Sequence, residues 1–353
     1  MPIPFRQSVR LFGSLALLLA RAAAFAPTPV IGIVSQPLST ADEYGNSSLY
    51  IAASYVKWLE AGGARSIPIP YDASTDVIDE LFGQVSGVLF PGGAAELPES
   101  VKYLWKLIVT ANAEDDWFPV WGTCLGFEWL LQLGSENNTI LDSDYDANNI
   151  SLPLLNVQPH QLYRKPQVFD NVRKNNITMN NHHQGILPHV FAQTPKLSDT
   201  WKITSINYDV RNKPFVSTME PIHPDIFPVY GVQYHPEKNA FEYATYPHTN
   251  IPYEAINHSP QAIDLTMELA RWFVELTKHT NPARHCYSKP DVYPLVYSYP
   301  MTRSLKFEQI YMMPSKNTLT TTHVDNILPD NDQISHIQPF DDLEASTKTI
   351  SVA

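Results

Sequence analysis

Cysteine is scarce, with two in 353 residues, Cys124 and Cys286. A small exported scaffold stapled by many disulfides is therefore excluded, and apolar burial must hold the fold. A single bridge between Cys124 and Cys286 is the bland alternative to a free thiol. Positive charge is also short: 24 Lys and Arg stand against 36 Asp and Glu, a formal net charge of −12. Such a chain is a poor match for a phosphate backbone, whose binding rests on basic side chains that release counterions, so no nucleic-acid partner is expected. Solubility is the plain reading of the acidity. After the first 25 residues there is no second apolar run of membrane-spanning length, and there are no internal repeats. Histidine-rich stretches such as His182-His183 and residues 279–285 lack a convincing ligand constellation, so neither a metal nor an organic cofactor is expected.

What is present begins with a targeting segment. Arg6 and Arg10 form a positive region, residues 11–20 (LFGSLALLLA) form a short apolar run, and small residues around Ala22 to Ala26 offer cleavage sites. Residues 1–24 read as a signal peptide. The run is too short for a stable membrane anchor. Asn46, Asn137, Asn149, Asn176 and Asn257 each open an Asn-x-Ser/Thr sequon. Signal and sequons together point to the secretory pathway, ending outside the cell or in a lysosome or vacuole. A homodimer is left open.

Apolar residues make up 44% of the chain, enough for a sizeable core. From residue 29 onward, short apolar runs alternate with helical stripes. Strands are expected at 30–35, 66–70, 85–90 and 119–122. Helices are expected at 48–61 (through Tyr50, Ala53, Val56, Trp58 and Leu59), 76–82, 99–112 and 125–133. This alternation predicts an α/β fold, a central and mostly parallel sheet flanked by helices on both faces. Beyond residue 135 the segments near Val168, 202–207, 215–219 and 229–234 suit added antiparallel strands, and 260–278 reads as a closing amphipathic helix. Residues 29–280 form the expected catalytic domain. Residues 287–353, rich in Pro, Ser and Thr, read as an irregular tail dispensable for chemistry.

Three motifs carry chemistry. The first is Trp121-Gly122-Thr123-Cys124-Leu125-Gly126-Phe127-Glu128. An apolar strand runs into G-x-C-x-G and then a helix, so the glycines permit a sharp turn with the cysteine at its tip. A thiol there faces a helix N-terminus, which favours thiolate, and backbone amides that can hold an oxyanion. The alternative is an inert core cysteine. The second is Tyr234-His235-Pro236-Glu237. Pro236 keeps His235 extended, so Glu237 lies on the same side and can orient the imidazole, which takes and returns the thiol proton. The third is residues 90–97 (FPGGAAEL), a strand end where the Gly93 amide, with that of Leu125, could form the oxyanion hole.

These strings, in this order, resemble the class I glutamine amidotransferase superfamily. Within it the γ-glutamyl hydrolase family is the nearer match, through IGIVSQP, VLFPGGAAELPES, VWGTCLGFEWL, NHHQGILP and STMEPIHPDIFPVYGVQYHPE. The resemblance implies a class I glutamine amidotransferase-like fold. It implies Cys124 as nucleophile, His235 as its partner, Glu237 as third member, and His183, with His182 beside it, as a substrate-site histidine. It implies folate poly-γ-glutamates as the small-molecule substrate. Glu128 stands where amidotransferases usually carry Gln, and a carboxylate there suits the free α-ammonium of a terminal glutamate; the plain alternative is an acid in solvent. A glutaminase-type amidotransferase relative and an inactive exported binding protein on the same scaffold are the rival readings.

Overall fold

The structure is a computed structural model that describes residues 28–38, 48–304 and 306–315. The expected signal peptide, the Asn46 sequon and the chain beyond residue 315 lie outside the described residues. In chain order, β1 (Val30–Val34), β2 (Gln36–Pro37) and β3 (Ser48–Ala52) lead into α1 (Ala53–Gly62). Next come β4 (Arg65–Ile69), α2 (Thr75–Phe82), β5 (Val88–Phe90), α3 (Glu99–Ala113), β6 (Val120–Thr123) and α4 (Leu125–Ser135). The second half holds β7 (Ala147–Leu152), α5 (Pro166–Lys174), β8 (Thr178–His182), α6 (Pro188–Ala192) and α7 (Pro195–Ser198). It ends with β9 (Trp201–Tyr208), β10 (Pro214–Pro221), β11 (Val229–Val232), α8 (Lys238–Phe241), α9 (Pro260–Thr277), β12 (Met301–Thr302) and β13 (Ile310–Pro314).

Seven strands form the central sheet in the order β4-β1-β5-β6-β11-β10-β9. The first five run parallel, and β10 and β9 extend one edge antiparallel. Strands buried on both faces need continuous apolar runs, and VIGIV in β1 is buried at every position. One face is covered by α1 and α9, whose Tyr55, Val56, Trp58, Leu59, Leu269 and Phe273 join a single core with Trp121 and Tyr234. Gly62 permits the close approach of these helices, because a Cβ there would meet Val274 Cγ2 at 2.5 Å. The opposite face is covered by α2, α3 and α4 through Ile78, Val101, Leu104, Ile108 and Leu130. The α/β class expected from the alternation is the fold observed. Among the described residues no helix is long and apolar enough to cross a membrane.

Four local expectations are corrected. Residues 48–52, expected to open a helix, form a strand, and the helix starts at Ala53. Leu49, Tyr50 and Ile51 fit a pleated surface, and their partner strand β13 lies far along the chain where a local window cannot see it. The segment near Val168 is helix α5 rather than a strand. Pro166 opens it, and Val168 and Val172 bury one face at a spacing of four. The strand expected at 85–90 shortens to Val88–Phe90. The tail expected to be irregular contributes, up to residue 315, two strands to the antiparallel sheet β12-β13-β3-β2.

Candidate active site

The sheet sets the site by placing β6 beside both β5 and β11. Cys124 follows β6 directly and is the N-cap of α4, at φ 49° and ψ −106°. That backbone is strained for any residue with a Cβ, at a cost on the order of 1–3 kcal/mol. Its neighbours make the turn possible. A Cβ on Gly126 would lie 2.0 Å from the Phe90 carbonyl oxygen, and one on Gly122 would lie 2.7 Å from the Gly126 oxygen. The Cys124 N–H donates to Val232 O at 2.9 Å, carrying the β6–β11 ladder into the elbow. Both cysteines are free, Cys124 buried and Cys286 exposed, so no bridge joins them.

His235 lies just past β11, with its N–H donating to Met179 O at 2.8 Å. Its Nδ1 meets Glu237 Oε1 at 2.7 Å, and both residues are buried. With the proton on Nδ1 donated to the carboxylate, Nε2 is the basic nitrogen. The pair meets at a turn rather than along an extended strand, since Glu237 is already αR (φ −70°, ψ −24°) at the start of α8. Gly92 fixes how these pieces sit. A Cβ there would be 2.6 Å from His235 Cε1, 2.8 Å from the Tyr55 hydroxyl and 3.4 Å from Cys124 Cβ. Imidazole, phenol and thiol-bearing carbon thus surround one point at the end of β5.

Tyr55 is the residue that sequence reading missed. Its hydroxyl accepts the Gly92 N–H at 2.7 Å and lies 3.4 Å from His235 Nδ1. Burial, with Glu237 and Cys124 nearby, pushes its ionisation well up, so it acts as a neutral hydroxyl. Nothing local marks it, because it lies on the buried stripe of α1, 180 residues from its imidazole partner. Lys238, also missed, is buried and bonds both Glu254 oxygens at 2.6 Å.

The electrostatics revise one expectation. Burial raises the Cys124 thiol well above its ordinary value, and the carboxylates of Glu128 and Glu237 add to this. Lys238 and the Leu125 N–H pull it down, as the helix N-terminus should, but burial outweighs them. Glu128 is buried rather than solvent-facing, and it accepts from Gln233 Nε2 at 2.9 Å. Burial pushes its carboxyl up to about 7.

The remaining candidates fall in different places. Gly93 is exposed, and Gln36 Oε1 would lie 2.4 Å from a Cβ built on it. His183 is exposed with Nδ1 3.2 Å from Asn148 Nδ2, whereas His182 is buried against Phe215 with its Nδ1 2.7 Å from Gln184 O. Burial pulls His182 down to about 4. Asn137, Asn149 and Asn176 are exposed, while Asn257 is half-buried and donates to Asn176 O.

A thiol at a strand-to-helix elbow, beside a buried histidine–carboxylate pair on a parallel sheet, defines a cysteine hydrolase of the α/β class. A family model described as Peptidase C26 matches residues 29–237. Gamma-glutamyl hydrolase B of Dictyostelium discoideum is 31% identical over 309 residues, covering 83% of this chain and 85% of that protein. Gamma-glutamyl hydrolase of Bos taurus is 34% identical over 269 residues, covering 72% and 80%. Gamma-glutamyl hydrolase of Homo sapiens is 33% identical over 267 residues, again covering 72% and 80%. The chain belongs to the peptidase C26 family, the γ-glutamyl hydrolases.

Proposed function

We propose that this γ-glutamyl hydrolase acts on folate poly-γ-glutamates through a thioester at Cys124. The observation that carries the reading is the gathering of Cys124, His235 and Tyr55 around Gly92, with Glu237 behind the imidazole. His235 Nε2 removes the thiol proton as sulfur attacks the γ-carbonyl carbon. The Leu125 and Gly93 amides hold the oxygen as it gains charge. The C–N bond then breaks, and the imidazolium gives its proton to the departing α-amine. Water, deprotonated by the same imidazole, attacks the thioester and releases the γ-carboxylate and the thiol. Glu237 keeps the ring in the productive tautomer and stabilises its cation. Glu128 and His183 are the side chains we assign to the glutamyl unit.

Incubating the protein with defined pteroyl-poly-γ-glutamates and separating the products tests the assignment. Shortened pteroyl species and free glutamate or glutamyl peptides are expected, none of them with Cys124→Ala. Turnover of free glutamine in preference to these substrates would overturn it. We further propose export through the secretory pathway with glycans on exposed sequons. A mature N-terminus near residue 25, and a mass loss on enzymatic deglycosylation, are the outcomes expected.

A further inference from the structure

Helix α1 starts without a side-chain cap, since its N-cap residue is Ala52. The first N–H groups of a helix need partners from elsewhere. The partner here comes from the far end of the chain: Gln309 O accepts the Ala53 N–H at 2.9 Å. The Gln309 side chain accepts from Lys57 Nζ at 3.0 Å, one turn further along the same helix. One residue earlier, the Glu308 N–H donates to Glu242 Oε2 at 2.6 Å, and Glu242 directly follows α8. One residue before that, the Phe307 ring lies 5.9 Å from the Tyr50 ring and 5.8 Å from Lys238 Nζ. Then β13 pairs along the whole of β3, the strand that runs straight into α1.

Three consecutive residues thus grip the two helices that flank the reacting pair. Tyr55 sits in the first turn of α1 and reaches both Gly92 and His235. Lys238 opens α8 immediately after Glu237, and its charge draws the Cys124 thiol downward. We propose that Phe307, Glu308 and Gln309 form a positioning strap that fixes α1 and α8 relative to each other, so that Tyr55 and Lys238 address the thiol and imidazole correctly. Among the described residues no hydrogen bond or ring contact joins the three to Cys124 or His235, so their action runs through Tyr55 and Lys238. The inference rests on Cys124 and His235 being the reacting pair, but not on the identity of the substrate.

The test uses the full chain with Cys286→Ser, so that iodoacetamide reports Cys124 alone. Phe307→Ala and Glu242→Ala are compared with the restoring changes Phe307→Tyr and Glu242→Gln. Two readouts are taken: the pH dependence of Cys124 alkylation, and kcat and KM on a γ-glutamyl peptide. A misplacement near 1 Å can cost about 10²-fold in rate. Both alanine variants should therefore lose kcat on that scale with KM little changed, and should shift the alkylation midpoint upward. The restoring variants should return both readouts toward the parent. Phe307→Leu, which fills the space without a ring, carries the test if Phe307→Ala does not fold. Parental kcat and alkylation profiles in folded alanine variants, with only the melting temperature lowered, would overturn the strap. An inactive parent whose alkylation profile still moves on substitution would instead overturn the substrate assignment and leave the strap standing.

Discussion

Burial pushes the Cys124 thiol upward, so its ionisation depends on a base held close by. That places the burden on His235 and on Glu237, which holds it at 2.7 Å. Replacing Glu237 with Gln should lower kcat by about 10²–10⁴-fold with a smaller effect on KM, read from initial rates on a γ-glutamyl peptide. Glu128 is the largest charged contributor to the raised thiol. Glu128→Gln should therefore move the alkylation profile of Cys124 toward lower pH, and an unchanged or upward midpoint would contradict the account. The elbow was legible in the sequence because every determinant is local: two glycines, a cysteine and the start of a helix within eight residues. Tyr55 was not, because its importance comes only from where α1 lies against β5. The opposing pull of burial on the thiol was not legible either, since a sequence shows the helix terminus, whose Leu125 N–H lowers the thiol as expected, but not the depth of burial.

At the scale of elements, glycine separates turns that merely bend from turns that must be empty. Gly63 closes α1 at φ +96° with nothing within 4 Å of an added Cβ, so Gly63→Ala meets only backbone strain, about 1 kcal/mol. Gly126 lies against the Phe90 carbonyl, and any Cβ there forces α4 away from β5. Gly126→Ala should destabilise by about 3 kcal/mol or more in urea titration and abolish turnover. Comparable losses for the two variants would refute this reading of the elbow. Helices α3 and α9 were readable from their stripes because each packs one face on the sheet and leaves the other to water. Strand β3 and helix α5 were misread because pairing with a remote strand and a proline at the first helical position outweighed the apolar pattern.

For the whole molecule, burial fixes how stability depends on pH. Glu128, Glu220 and Glu242 are each pushed up to about 7 by burial. Unfolded, such carboxyls ionise near pH 4.3, so the folded state is progressively disfavoured as pH rises from there to about 7. His182, pulled down to about 4, acts oppositely below about 6.5 but is one group against three. Melting temperature should therefore be highest at about pH 4 and fall as pH rises toward neutrality. The triple change to Gln at these three positions should flatten that slope, and an identical slope would refute the assignment. Such a profile suits an acidic compartment, in keeping with the proposed route of export. The tail shows what periodicity cannot reveal: residues 307–314 carry little pattern of their own, yet through β13 they join β2 and β3 near the start of the chain in one sheet. The amide of Cys124, bound to Val232, is the last rung between neighbouring parallel strands. Sulfur and imidazole are therefore brought together by neighbouring rungs of one ladder, with Met179 O from the intervening chain holding the His235 N–H. That intervening chain also returns to the same sheet as β9 and β10, so a foreign loop grafted in its place should misplace the imidazole and cost turnover rather than only change acyl-group preference.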